Sequence, residues 1–258
     1  MNWKRAKTLF IIVFLLANIC LVSVYINKVN KSQVNDAEND NAVNFEQENI
    51  KLPKNIPNTQ GVKMQLITAR SKDFGKEAET DDDAESSDDG HTISKEMDEA
   101  VNVKQDPITH LKPYVDDNVY KGSSYQYHET DNNEIHYEQT YKGFPIMNNN
   151  RADLSFKVDG DNVKSYTQSA MEDIRPSKGS NNQPRDVISA RDAIEALYYN
   201  QYLISGQEVL SMRLGYYTVV KETNVQVLQA NWEIKVNDGK EIHTYYVEAV
   251  SSNPQITE

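Results

Sequence analysis

The chain has one cysteine in 258 residues, Cys20, and it lies inside an apolar run. An internal disulfide framework and a cysteine-based zinc site are therefore excluded. Basic residues are in short supply: 27 Lys and Arg stand against 39 Asp and Glu, a formal net charge of −12. A surface of that sign repels phosphate backbones, which argues against nucleic-acid binding. Hydrophobic residues make up only 38% of the chain. That share predicts a modest core with unstructured stretches.

Catalytic and ligand spacings are missing as well. His91, His110, His128, His136 and His243 form no H-x-x-x-H or H-E-x-x-H pattern, and neither G-x-S-x-G nor a P-loop occurs. Counted from Asp81, an EF-hand would need Gly at Ser86 and Glu at Thr92, so calcium binding there is not expected. His128 and His136 fall on neighbouring strand candidates near Glu129 and Glu138. A solvated polar sheet face is the plainer reading of that group than a metal site. No enzyme activity, cofactor, metal or small-molecule substrate is implied.

Long hydrophobic runs are absent except for one, Thr8 to Ile26, which contains no charge. At about 1.5 Å per helical residue it covers roughly the 30 Å hydrocarbon core of a bilayer. Lys4, Arg5 and Lys7 precede it, and Lys28 and Lys31 follow. This bias favours a cytoplasmic N-terminus and an extracytoplasmic C-terminal region. A cleaved signal peptide competes with this reading, but the run is long for one and Ser23-Val24-Tyr25-Ile26-Asn27 offers no A-x-A site. An uncleaved single-pass anchor in the cell membrane is expected.

Phe10, Phe14, Asn18, Leu21 and Tyr25 recur at spacings of three and four, so they share one helix face. A carboxamide in hydrocarbon seeks a hydrogen bond, either on a partner helix or on its own backbone. The tail of residues 1–7 is too short for a domain. Any signal to the cytoplasm must then pass through the helix or a partner.

The expected organisation continues with a stalk (27–60), a strand and acidic loop (61–100), and two α+β units (101–175 and 185–258). Glu77 to Asp89 carries eight acidic residues and no basic one, which predicts a solvated loop. Asp106-Pro107 reads as a helix start, with Ile108, Leu111, Val115 and Val119 on one face. Strands are predicted over 124–130, 134–141, 151–158 and 162–170. A second helix is predicted over 189–204, opened by a Ser189/Asp192 capping box and burying Ala190, Ala193, Ile194, Leu197 and Ile204. Strands over 209–220, 227–236 and 241–250 follow, with Asp238-Gly239 as a tight turn.

Fifteen tyrosines include the pairs Tyr198-Tyr199, Tyr216-Tyr217 and Tyr245-Tyr246. Successive strand residues face opposite ways. One member of each pair is expected to pack the core, and Tyr199, Tyr217 and Tyr246 are left as a partner surface.

Several stretches together carry a family resemblance: the N-terminal thirty residues, LITARSKDF (66–74), YEQTYKGFPI (137–146), RDAIEALYYNQYL (191–203), RLGYYTVV (213–220) and ANWEIKV (230–236). In their order they resemble the YycI (WalI) family. The resemblance implies a bitopic membrane regulator that acts beside a YycH-like protein on the sensor histidine kinase YycG (WalK), which governs cell-wall metabolism. Contact between transmembrane helices is implied, helped by the extracytoplasmic region. A weaker resemblance is to PepSY-like domains: YKGFPI followed by alternating strands, then Ser189 to Ile194 opening a helix. It implies two PepSY-like units, each a helix on an antiparallel sheet. It also supplies an alternative function, an anchored inhibitor or chaperone of an exported protease.

Overall fold

The computed structural model describes Lys7, Phe14, Asn18, residues 43–222 and residues 224–258. The chain divides into two units, Met1–Asn44 and Phe45–Glu258. In the first unit Lys7, Phe14 and Asn18 are helical. Asn18 Nδ2 donates to the backbone carbonyl of Phe14 at 2.7 Å, one turn back. Phe10, Leu21, Tyr25 and most of the 8–26 run lie outside the described residues. Among the described residues, no helix is long and apolar enough to cross a membrane.

The second unit is α+β and mostly sheet. In chain order its elements are β1 (Lys63–Met64), β2 (Ile67–Ser71), α1 (Gly75–Glu79), β3 (Ala84–Ser87), β4 (Thr92–Asn102), α2 (Pro107–Asn118), β5 (Tyr125–Asp131), β6 (Glu134–Tyr141), β7 (Phe144–Met147), β8 (Asp153–Asp159), β9 (Asn162–Ser169), β10 (Met171–Pro176), β11 (Arg185–Asp186), α3 (Ala190–Tyr199), β12 (Glu208–Lys221), β13 (Val225–Asn237), β14 (Ile242–Glu248) and β15 (Ile256–Thr257).

Local chemistry starts both longer helices. Asp106 accepts from the Thr109 amide at 3.1 Å and Pro107 takes the first helical position, where its missing N–H costs nothing. Leu111 and Val115 are fully buried against Ile135, Tyr137, Leu154, Phe156 and Val163, so α2 covers the sheet of the first half. Ile108, expected on that face, is exposed instead. Ser189 and Asp192 form a reciprocal capping box at the start of α3. Ala190, Ala193, Ile194 and Leu197 are buried, and Trp232 on β13 donates to the Ile188 carbonyl at 3.1 Å. The helix stops at Tyr199, capped by Asn200. Ile204 therefore falls beyond it and is exposed, while Leu203 takes the buried position.

Thirteen strands join one sheet, in the order β10-β2-β13-β12-β7-β6-β8-β9-β4-β3, with β14 on β13, β15 on β14 and β5 on β6. The seam is β7. It pairs antiparallel with β6 (Tyr141 opposite Phe144) and parallel with β12 (Tyr216 opposite Ile146). Gly215 is dictated by this crossing, because a Cβ there would lie 2.6 Å from the Pro145 carbonyl oxygen and 2.8 Å from Met147 Sδ.

Two expectations are corrected. The stalk does not run to residue 60, because Phe45 and Ile50 are buried. Phe45 meets the Tyr198 ring edge-on at 6.5 Å, and Lys51 bridges to Glu208. Scattered apolar residues in a polar stretch here serve to dock it along α3. The acidic stretch is not simply a solvated loop either. Its Ala84–Ser87 portion pairs with β4, Ala84 packs with Phe74 and Ile93, and Lys95 holds Asp81 at 2.5 Å. The carboxylates stay at the surface while the small residue enters the core.

Candidate functional site

Strand alternation gives the second half of the sheet two unlike faces. On β12, β13 and β14 the buried apolar series runs through Leu214, Tyr216, Ala230, Trp232, Ile234, Tyr245 and Val247. The residues between them, Arg213, Tyr217, Glu233, Lys235, Thr244 and Tyr246, share the other face. In the first half the same rule puts Ile135 and Tyr137 under α2, leaving His136 and Glu138 opposite. The two polar faces meet at a cleft of about 470 Å³.

At its centre is Arg213. Its Nε and Nη2 donate to Glu233, the cross-strand neighbour, at 2.7 and 2.8 Å. Nη2 also donates to Glu138 on β6 at 2.9 Å, and Nη1 donates to the second oxygen of the same carboxylate. The guanidinium is thus engaged on both sides, and an anionic ligand would have to break an ion pair to reach it. Burial pushes the Glu233 carboxyl up, but the hydrogen bonds and charge of Arg213 outweigh this and hold it below its ordinary value. Burial disfavours the charged guanidinium as well, yet the two carboxylates raise its pKa overall.

Around this pair the cleft is acidic. Asp153 lies directly opposite Glu138 on β8. Its pKa is raised to about 6, mainly by burial, with Glu138 and Glu134 adding and His136 opposing. His128 Nδ1 is 3.6 Å from Glu138 and Nε2 is 3.5 Å from Glu129. Burial lowers its pKa, against the pull of Glu138, and Arg213 adds to the lowering. His136 approaches Glu134 at 3.8 Å. At the cleft wall, Asn149 donates to Gln226 at 2.7 Å and to Thr218 at 2.6 Å, a second polar link across the seam.

The three expected surface tyrosines are placed differently from one another. Tyr199 is exposed and Tyr217 is half-buried. Tyr246, expected to face out, is buried at 6%. Its ring stacks on Tyr217 at 4.2 Å and its hydroxyl donates to Glu233 at 3.3 Å. Its neighbour Tyr245 is buried too, against Tyr202 at 5.3 Å. Both faces of β14 are covered, so alternation no longer separates an inner from an outer member. Burial pushes the Tyr246 phenol up, and the adjacent Glu233 adds to it.

His128, His136, Glu129 and Glu138 do come together, as their strand positions suggested. Arg213, Glu233 and Asp153 were not singled out from the sequence. For Arg213 the signal is the one charge in RLGYYTVV; Glu233 and Asp153 sit among other polar residues in ANWEIKV and DLSFKVD and carry none.

Fold and cleft define a sheet-rich α+β protein whose central polar groups hold one half of the sheet to the other. The family model described as "YycI protein" matches residues 29–250, and the chain belongs to that family. The family is regulatory, associated with the YycFG two-component system, and is not a known enzyme family. No curated protein matches the chain. A crystal structure of an uncharacterised protein from Eubacterium rectale is similar at a TM-score of 0.49 and 8% identity, covering 81% of this chain and 91% of that one.

Proposed function

We propose that this chain is a membrane-anchored accessory regulator of the sensor histidine kinase YycG (WalK), acting with a YycH-like protein. The observation that carries the reading is the family match over residues 29–250, following directly on the uncharged run Thr8 to Ile26. In this reading residues 8–26 cross the cell membrane once, with residues 1–7 in the cytoplasm and the sheet domain outside. In this reading the helix itself carries the signal, through the shared face of Phe10, Phe14, Asn18, Leu21 and Tyr25. Asn18 has one amide hydrogen committed to its own helix. Its second amide hydrogen and its oxygen are what a partner helix would engage. Outside the membrane, Tyr199 and Tyr217 are the aromatic contacts offered to a partner.

Bacterial two-hybrid and co-purification with the sensor kinase test the proposal. Association is expected for the full chain, and replacing residues 8–26 with an unrelated transmembrane helix is expected to weaken it strongly. No association by either the full chain or its anchor sinks the idea.

A second reading is an anchored PepSY-like inhibitor or chaperone of an exported protease. It is favoured by the repeated arrangement of a capped helix on each half of the sheet, α2 on the first and α3 on the second. It predicts that residues 30–258 alone inhibit a secreted protease and that the anchor is interchangeable.

A further inference from the structure

The hairpin joining β13 to β14 carries a side-chain group that the regulatory reading does not use. Asp238 and Glu241 lie in the turn and His243 is the second residue of β14. Three of their ligand atoms, one from each residue, lie within 4.8 Å of one another. His243 Nε2 is 3.5 Å from Asp238 Oδ2 and 3.5 Å from Glu241 Oε1. On the other side of the ring, Nδ1 is 2.7 Å from Glu258 Oε1.

This arrangement sets the chemistry. A carboxylate at hydrogen-bond distance from Nδ1 holds the proton on that nitrogen and turns Nε2 toward the turn. The ring plane is held by Tyr245, stacked on it at 6.1 Å and 15°. Asp238 is held as well: its Oδ1 accepts from the amides of Lys240 at 2.8 Å and Glu241 at 2.9 Å, leaving Oδ2 to face the imidazole. In the neutral ring, then, a nitrogen lone pair and two carboxylate oxygens converge on one point. Such a convergence of acceptors calls for a positive charge between them. A proton on Nε2 meets that demand poorly, because 3.5 Å exceeds the roughly 2.7–3.2 Å of an N–H···O bond.

A metal ion meets it well. Zinc bonds of about 2.0–2.2 Å at tetrahedral angles put neighbouring ligand atoms roughly 3.3–3.6 Å apart. We propose that Asp238, Glu241 and His243 bind a divalent transition-metal ion of the zinc class, with Glu258 as the outer carboxylate that orients the histidine. The imidazole nitrogen selects for zinc over calcium, which prefers oxygen ligands throughout. A carboxylate on the far ring nitrogen is the usual support of a metal-bound histidine, and it raises the ligand's basicity.

The test uses the untagged full chain in detergent, titrated with Zn²⁺ by calorimetry and with Co²⁺ by visible absorption. One zinc per chain is expected, with the intense visible bands of four-coordinate cobalt. His243→Gln and Asp238→Asn are expected to abolish saturable binding. Asp238→Asn keeps the turn's oxygen acceptor, so an unchanged melting curve without metal separates lost binding from lost folding. Glu258→Gln is expected to weaken binding by about 10–100-fold. No saturable zinc uptake, zinc uptake unchanged in His243→Gln, or displacement of zinc by equimolar calcium would each overturn the proposal.

Discussion

Arg213 donates two hydrogen bonds to Glu138, 75 positions away and on β6, a strand with which β12 does not pair. With Glu233 completing the pair, a single guanidinium spans the β7 seam that joins the two halves of the sheet. Cutting one partner from such a group leaves the others buried and unpaired. Arg213→Met is expected to destabilise the domain by about 3–5 kcal/mol, more than Glu138→Gln, which leaves the second carboxylate in place. Urea unfolding of the two variants checks the order. Equal, small losses would show that the pair is not a structural link.

Asp153 makes stability depend on pH in the opposite direction from Glu233. Its folded pKa, about 6, lies above its ordinary value of 3.8. The folded state therefore holds the proton more tightly. Its contribution is full at low pH and is lost as pH rises through about 6. Glu233, whose pKa is lowered, contributes above its ordinary range and loses that contribution as pH falls. Asp153→Asn is expected to stabilise the protein at pH 7 by about 1–3 kcal/mol and to do little at pH 4. Melting temperatures of wild type and variant across that range decide it; a gain of equal size at both ends would remove Asp153 titration as the cause.

Gly215 lies against the Pro145 carbonyl where β7 meets β12. Gly215→Ala places a methyl into that contact and is expected to cost roughly 1–3 kcal/mol by overpacking. Gly239→Ala is a poor control, since its φ of +90° strains any side chain. Ala249→Gly, at a fully buried position just after β14, removes a methyl instead of adding one and serves as the comparison. Denaturation of the two variants should show the larger loss at Gly215.

The capping box at α3 gives a smaller, local prediction. Ser189→Ala removes the acceptor for the Asp192 amide, 3.1 Å away, and the reciprocal bond to Ser189 loses its partner geometry. A loss of about 1 kcal/mol is expected. Amide exchange should rise in the first turn of α3 and not in α2. Uniform change across both helices would count against a local cap.

Much of the element order was legible because it is local. Pro107 after Asp106, and Ser189 ahead of Asp192, mark helix starts that the structure reproduces. The alternation in Leu154, Phe156 and Val158 placed β8, and the turn at Asp159-Gly160 separated it from β9. Ala84–Ser87 was missed because its strand character comes from pairing with β4, not from its own acidic composition. The polar β4 itself, with only Ile93 and Met97 buried, carries almost no apolar period to read.

The cleft shows the same divide. That His128, His136 and Glu138 lie on adjacent strands follows from spacing. That Arg213 reaches Glu138 does not, because it depends on a parallel pairing of β7 with β12 across a long stretch of chain. Likewise the D-x-x-E-x-H order of the hairpin matches no familiar ligand spacing, and only the return of Glu258 beside His243 gives it a chemistry.

The sequence by itself determined the acidic surface, the single uncharged run, the two capped helices and most strand positions, since each follows from composition, periodicity or a contact a few residues long. Tertiary structure alone decided that thirteen strands form one sheet, that Tyr246 is buried while Tyr199 is exposed, and that Arg213 is held between two carboxylates. Those outcomes rest on which faces meet across long separations, and no local period records that.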